Sequence, residues 1–167
     1  MTRLLSVLGQ VVAYGLFMAL LGAFSATPSY TYMEADQALI KLSFSHAAKR
    51  VGVCRSLTQE EIAAQPPNMR HSEDCPRERL PLLVELELDG EIATRRLLPP
   101  AGLHQDGASA VYQRFPVAAG RHRIVARLRD SARSEGFDHE RAMEIDLVPG
   151  KNFVIDFRAE SGGFIFK

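Results

Sequence analysis

The stretch from Asn68 to Pro76, NMRHSEDCP, concentrates side chains that bind metals or undergo redox chemistry. Met69, His71 and Cys75 lie within it, and thioether, imidazole and thiolate groups are ligands that suit copper. The only other cysteine in the chain is Cys54. Two hypotheses follow: a copper or thiol-redox site that uses residues 69–75, and a structural disulfide between the two cysteines.

The N-terminal segment indicates the compartment in which these side chains lie. From Leu4 to Ala26 the chain carries no charged residue, and a helix of that length spans a hydrocarbon core of about 30 Å. Arg3 precedes the segment and Glu34 is the first charge after it. The positive-inside tendency therefore predicts a single-pass inner-membrane protein with a cytoplasmic N-terminus and a periplasmic C-terminal domain. A cleaved signal peptide, which exports the same domain, is the alternative.

Export bears directly on the cysteines. An oxidising compartment and an even cysteine count both favour a bridge between Cys54 and Cys75. It would close a loop of about 20 residues, for which the chain-entropy estimate is about 3 kcal/mol. The sequence favours this disulfide. Free or redox-active thiols are one alternative, and a metal site of Met69, His71 and Cys75 is the other.

Alternation of apolar and polar residues with a period of two follows the N-terminal segment and predicts β-strands. After the strand that begins at Leu82, Asp89-Gly90 offers the positive-φ pair of a tight hairpin turn. About seven strands with turn signals at short intervals are typical of an antiparallel β-sandwich. The predicted fold is therefore mainly β, with one N-terminal transmembrane helix.

The predicted organisation has three parts. Residues 1–26 are a transmembrane signal anchor, residues 27–37 a juxtamembrane linker, and residues 38–167 an exported sandwich domain. Residues 47–81 break the alternation and form an insertion in that domain. Within it, Thr58 precedes Glu61 by three residues, which is the spacing of a capping box and predicts a short helix.

Charged side chains cluster on one predicted strand. Its outer face carries four arginines: Arg121, Arg123, Arg127 and Arg129. Such a face could attract an acidic partner or anionic lipid headgroups. The next strand presents Glu140, Glu144 and Asp146, so pairing of the two strands would form cross-strand ion pairs, worth roughly 0.2–1 kcal/mol each. This ladder is the favoured interpretation, and a partner contact is the alternative. Glu85 and Glu87 are also predicted to face solvent.

Two further segments are candidate contacts for a partner. The C-terminal sequence SGGFIFK contains Phe164, Ile165 and Phe166, which form either a docking tail or, as we favour, a closing strand. The anchor contains small residues through which a helix can pack closely against another helix. These residues are Gly9, Gly15, Ala19 and Gly22.

The C-terminal half resembles the PEGA-type domain. The positions of that family's glycine, histidine and alternating apolar residues are occupied by Gly120, His122, Ile124 and Ala126. ELDGE around Asp89 resembles the family's V-x-V-D-G hairpin. The likeness covers roughly residues 82–158, and Ig-like sandwiches share the pattern. It implies a small surface sandwich that is used for binding rather than for catalysis.

Motifs that identify catalysis are missing from the sequence: it has no G-x-S-x-G, H-E-x-x-H, P-loop or C-x-x-C. Lys plus Arg and Asp plus Glu number 20 each, so no net charge draws the chain to nucleic acid. We therefore expect neither enzymatic activity nor a cofactor.

The expected function is that of a non-catalytic, membrane-anchored envelope protein. It would serve as an accessory, assembly or binding subunit of a membrane protein complex, with an integral membrane protein as its partner. One alternative is a copper-handling or thiol-redox accessory factor that uses residues 69–75. Another is a self-assembling structural envelope protein.

Overall fold

The computed structural model describes residues 2–27 and 33–167. The chain divides into two compact units, Met1–Glu34 and Ala35–Lys167. Part of the predicted linker, residues 28–32, lies outside the described residues. The second unit begins its first strand at Gln37, one residue before the predicted domain boundary.

The first unit contains one helix, α1 (Thr2–Ala26). Every side chain described along it is exposed, although nearly all of them are apolar. From Arg3 to Ala26 the helix is long and apolar enough to cross a membrane. By length and composition it fits a membrane anchor or a signal sequence.

The second unit is a β-sandwich, as the alternation predicts. Its elements are β1 (Gln37–His46), β2 (Arg55–Ser56), α2 (Gln59–Ala64), β3 (Glu73–Asp74), β4 (Leu82–Leu88), β5 (Glu91–Leu98), β6 (Ser109–Ala118), β7 (Gly120–Arg129), β8 (His139–Leu147), β9 (Asn152–Arg158), a 3₁₀ turn (Ala159–Ser161) and β10 (Gly163–Phe166). The first sheet has the order β10-β9-β1-β6, and the second sheet has the order β5-β4-β7-β8. β2 and β3 pair only with each other.

The core lies between the two four-stranded sheets. Alternate residues of each central strand point into it, including Ile40 and Leu42 from β1 and Val84 and Leu86 from β4, all at most 1% exposed. Burying one such side chain stabilises the fold by roughly 1.5–3 kcal/mol. The hairpin between β4 and β5 turns at Asp89-Gly90, as expected, with φ values of 54° and 89°.

One strand pairing departs from the antiparallel expectation. β1 pairs antiparallel with β6 but parallel with β9, with Ile40 opposite Phe153 and Leu42 opposite Ile155. The apolar alternation of β1 and β9 fits either direction, because both directions place the same side chains in the core. The sequence pattern therefore could not distinguish them.

The prediction that Glu85 faces solvent is wrong, because this residue is only 4% exposed. Its carboxylate lies on the outer face of the second sheet beneath two guanidinium groups. Arg127 Nη1 is 2.9 Å from Glu85 Oε1, and Arg95 Nε is 3.5 Å from Glu85 Oε2. The alternation identifies the face correctly but contains no information about the long side chains that cover it.

Candidate functional site

The insertion forms an arm, residues 47–81, built as a two-stranded ribbon between β1 and β4. Its two sides keep one antiparallel register along their length. The paired residues are Lys49 with Leu80, Arg50 with Arg79, Val51 with Glu78, Arg55 with Asp74, Ser56 with Glu73 and Leu57 with Ser72. None of residues 49–81 is buried. The arm therefore presents its surface to solvent.

A disulfide joins Cys54 to Cys75 within the arm, as the sequence favours. The register places the two cysteines directly opposite each other, between the paired residues at the base and those at the tip. At a sequence separation of 21, the bridge lowers the entropy of the unfolded chain by an amount worth about 3 kcal/mol. Because none of residues 49–81 is buried, this contribution stabilises a segment that has no apolar core of its own.

The tip of the arm carries α2 and is ordered by its own hydrogen bonds. The capping box is present: Glu61 N donates to Thr58 Oγ1 at 3.3 Å, and Thr58 N donates to Glu61 Oε2 at 2.8 Å. Arg55 Nη1 donates to Glu61 Oε1 at 2.9 Å. These donors lower the pKa of Glu61, the Thr58 backbone N–H most of all. The short helix that the capping-box spacing predicts is confirmed, and it spans Gln59–Ala64.

Only the base of the arm is fixed to the sandwich. Arg79 Nε donates to Asp106 O at 2.9 Å, and its Nη1 donates within the arm to Ala48 O at 2.8 Å. Arg77 Nη2 lies 2.8 Å from Asp106 Oδ2. Among the described residues, every hydrogen bond and ion pair of residues 55–74 stays within that segment. The tip is thus an independent, cross-linked unit.

The bridged arm does not assemble the predicted metal ligands. Met69 is 66% exposed, His71 Nδ1 hydrogen-bonds to Met69 O at 2.9 Å, and the sulfur of Cys75 is bonded to Cys54. In the part of the chain that the structure describes, the ligand atoms that lie together are those of Cys54, Glu73 and Cys75, within 4.8 Å of one another. A copper site of Met69, His71 and Cys75 requires an open bridge and stays a prediction.

The predicted ladder of charges is present between β7 and β8. Arg121 is opposite Asp146, Arg123 is opposite Glu144, and Arg127 is opposite Glu140. Arg127 Nε lies 3.2 Å from Glu140 Oε2, and Arg121 Nε lies 3.8 Å from Glu144 Oε2. Arg129 instead donates to Ser134 O at 2.7 Å.

Arg127 is the centre of this network. Besides Glu140 it contacts Glu85, and its Nη1 lies 2.8 Å from Glu87 Oε2. The hydrogen bond with Glu87 is the largest of several effects that raise the pKa of Arg127. Its guanidinium is bonded to these internal carboxylates, and a partner contact of Arg121, Arg123, Arg127 and Arg129 stays a prediction.

The C-terminal segment forms a closing strand, β10, as favoured from the sequence. Phe164 is 3% exposed and packs on Phe44 and Phe157 in the core. Its side chain is therefore not available to a partner, which corrects the docking-tail alternative for this residue. Ile165 and Phe166 are half-buried.

A polar cluster that sequence reasoning missed closes one end of the core. Nε2 of His46 and of His139 lie 2.9 and 3.9 Å from Asp130 Oδ2, and both rings meet the Phe157 ring edge-on. Asp130 is 7% exposed. Open clefts of about 390 and 490 Å³ adjoin His139 and His46 respectively. In the sequence, the one feature that could have indicated this cluster is His46, a histidine on the apolar face of β1.

The chemistry of this cluster is that of a structural clip. Among the described residues, no serine hydroxyl is hydrogen-bonded to His46 or His139. Because His46 belongs to the first sheet and Asp130 follows β7 of the second, the contact joins the two layers.

A second histidine contact links residues that underlie the family resemblance. His122 Nδ1 lies 2.7 Å from Asp89 Oδ2, and His122 Nε2 lies 2.8 Å from Ala118 O. Arg123 N donates to the other Asp89 oxygen at 2.8 Å. The hydrogen bond with Asp89 is the main cause of a raised His122 pKa and a lowered Asp89 pKa. With an acceptor at each ring nitrogen, the site fits the protonated imidazolium.

Comparison with protein-family models finds no match, and comparison with curated protein sequences finds none either.

Proposed function

We propose that the protein is a non-catalytic, membrane-anchored envelope protein that serves as an accessory or assembly subunit of a membrane protein complex. In this proposal α1 holds the chain in the inner membrane, the sandwich is a periplasmic support of PEGA-like or Ig-like type, and the arm contacts the partner. The partner is an integral membrane protein with an exposed surface on the same side of the bilayer.

The observation that carries the proposal is the arm. A segment with no buried side chain from residue 49 to residue 81 would be disordered on its own, because it has too little apolar surface to offset its conformational entropy. Here a disulfide, a capped helix and a base fixed to Asp106 hold it in one shape. Pre-ordering a polar surface lowers the entropy cost of binding, which favours a role in recognition.

The family resemblance supports the same proposal. Asp89 and His122, which carry the two halves of the PEGA-like pattern, are joined by a hydrogen bond of 2.7 Å. This bond fixes the β4–β5 turn against β7. The hairpin residue and the strand residue of the PEGA-like pattern therefore both stabilise the β4–β5 turn. This is expected if the resemblance reflects a shared sandwich fold.

The test is co-purification of the tagged full-length protein from its native membrane in mild detergent. We expect an integral membrane protein to be recovered with the wild type. The charge reversal Glu60→Lys, on the exposed tip of the arm, should reduce that recovery severalfold. Glu91→Lys, at an equally exposed position on β5, is the matched control and should retain it.

Recovery of the protein alone would contradict the proposal. Equal recovery with both variants would show that the arm is not the contact. A single self-associated species of large size without other proteins would support the structural alternative instead.

A further inference from the structure

The disulfide of the arm is accessible from solvent without unfolding. Cys54 is exposed and Cys75 is half-buried. In-line attack on a disulfide requires access to one sulfur. Of the two, Cys54 is the sulfur that an incoming thiolate reaches more readily.

The residue pairs on either side of the bridge set the register in which the two cysteines face each other. On one side of the bridge Arg50 pairs with Arg79, and on the other Arg55 pairs with Asp74. Val51 N donates to Glu78 O at 2.8 Å, so the ladder resumes next to the bridge. The flanking pairs therefore bring Cys54 and Cys75 to facing positions whenever the ribbon is in register, and the bond can form again from that arrangement.

The charges around Cys75 have opposing effects on this chemistry. A cleft of about 610 Å³ beside it is lined by Arg50, Arg70 and Glu73, among others. Arg50 Nη1 donates at 3.3 Å to the carbonyl of Pro76, the residue after Cys75. A nearby guanidinium favours a departing thiolate, whereas Glu73, within 4.8 Å of both sulfurs, disfavours it.

We propose that the Cys54–Cys75 bond is a thiol–disulfide exchange site for a protein dithiol, and that the dithiol attacks at Cys54. The role goes beyond that of an accessory subunit and does not depend on it. The partner's thiolate forms a bond to Cys54 Sγ. The Cys54–Cys75 bond breaks, and its electron pair leaves with Cys75 Sγ, which takes up a proton.

The partner's second thiol completes the exchange. It loses its proton, attacks the mixed disulfide, and releases Cys54 as a thiolate that is then protonated. The partner is oxidised to a disulfide, the arm is reduced by two electrons, and the two protons of the dithiol end on Cys54 and Cys75. The reverse reaction oxidises a dithiol.

The first experiment identifies the attacked sulfur. Full-length protein in mild detergent, without denaturant, is treated with reduced glutathione, quenched in acid and mapped by mass spectrometry. We expect the glutathione adduct on Cys54. In the single-thiol variants, Cys75→Ser should react severalfold faster with an aromatic disulfide reagent than Cys54→Ser. An adduct mainly on Cys75, or equal rates in the two variants, would overturn the assignment.

The second experiment uses the sign of the electrostatic effect. One elementary charge at roughly 6 Å in water is worth on the order of a threefold change in rate. Reduction by dithiothreitol should be about threefold faster in Glu73→Gln and about threefold slower in Arg50→Gln. Glu91→Gln, at an exposed position on β5 of the sandwich, is the control and should leave the rate unchanged.

A merely loosened arm would speed reduction in Glu73→Gln and Arg50→Gln alike, so changes in the same direction would count against exchange. A bond that resists dithiothreitol until denaturant is added would refute it. Co-purification of a membrane partner is independent of both results, so the two proposals fail separately.

Discussion

The Arg127 side chain holds together the charged residues on the outer face of the second sheet. Its guanidinium satisfies Glu85, which is only 5% exposed at the side chain, as well as Glu87 and Glu140. At a buried site, the cost of desolvating the charges partly cancels the Coulombic attraction between them. The ion pairs therefore stabilise the fold by less than their number implies. Removing Arg127 is costlier, because it leaves the covered Glu85 carboxylate with Arg95, at 3.5 Å, as its remaining ion-pair partner.

We predict that Arg127→Met lowers the free energy of unfolding by about 2–4 kcal/mol. This is somewhat less than the roughly 3–5 kcal/mol for breaking a fully buried pair, since the Arg127 side chain is 20% exposed. Urea titration followed by circular dichroism measures the change. Arg123→Met is the matched control on the same strand face and should cost less than about 0.5 kcal/mol. Equal losses in both variants would contradict the central role of Arg127.

The His122–Asp89 pair predicts a pH dependence with a definite sign. The pKa of His122 is raised above its ordinary value of 6.5, so its contribution is complete below that pH and is lost as pH rises through the raised value. The pKa of Asp89 is lowered below 3.8, so its contribution is present above that pH and is lost as pH falls through the lowered value. Both contributions are complete between pH 3.8 and 6.5.

NMR titration of the His122 imidazole measures this effect directly. Asp89→Asn removes the charge but keeps a side chain that tolerates the positive φ of 54° at this position. We expect the His122 pKa to fall in this variant and the loss of stability above pH 6.5 to shrink. A His122 pKa that does not respond to the substitution would show that Asp89 is not the cause.

At the scale of elements, the arm and the sandwich should behave as separate cooperative units. The hydrogen bonds of residues 55–74 are internal to that segment, so cross-linking acts locally. The arm contributes Ala48 to the buried core, and Leu80, also at its base, packs against that core. Loss of the disulfide should therefore not destabilise β4 or β7.

We predict that Cys54→Ser together with Cys75→Ser releases most amide-exchange protection in residues 55–74. The local destabilisation corresponds to the loop-closure contribution of about 3 kcal/mol. Protection in β4 and β7 should stay within experimental error of the wild type. Hydrogen exchange with peptide-level mass spectrometry makes the comparison, and a parallel loss of protection in β7 would show that the arm supports the sandwich.

The elements also show how far sequence reasoning reaches. Strands with one buried face were located correctly, because alternation reports burial directly, and α2 was located by its capping box. β2 and β3 have two residues each, too few for a pattern. The clip of His46 and Asp130 joins positions 84 residues apart. A local sequence pattern cannot predict a contact between residues so far apart in the chain. Residue types in the sequence therefore identify candidate site residues, but the fold is needed to show which of them lie together.

At the scale of the whole molecule, the clip of His46 and Asp130 matters because it joins the two sheets where the core would otherwise be open. We predict that Asp130→Ala destabilises the sandwich by about 1–3 kcal/mol, since the half-buried His46 imidazole loses its hydrogen-bond partner. Asp130→Asn retains an accepting oxygen and should cost less. Thermal unfolding measures both, and equal melting temperatures for Asp130→Ala and the wild type would contradict a structural role.

The state of the N-terminus is a further property of the whole chain. In the anchor proposal α1 is retained, so N-terminal sequencing of protein extracted from its native membrane should begin before Leu4. A first residue at Ala26 or beyond would identify a cleaved signal peptide. In that case the mature protein would lack the helix, and the proposed close packing through Gly9, Gly15, Ala19 and Gly22 would not apply to it.

The parallel pairing of β1 with β9 has a consequence for the order in which the chain folds. β1 is made first, yet both its neighbours, β6 and β9, are made much later, and β9 ends at Arg158. Closing contacts over such sequence separations is entropically slow. During synthesis the second sheet, whose strands all lie within residues 82–147, is complete while β1 still lacks β9. A nascent chain stopped before residue 152 would therefore leave one edge of β1 open, and it is at this stage that the protein is most exposed to aggregation and proteolysis.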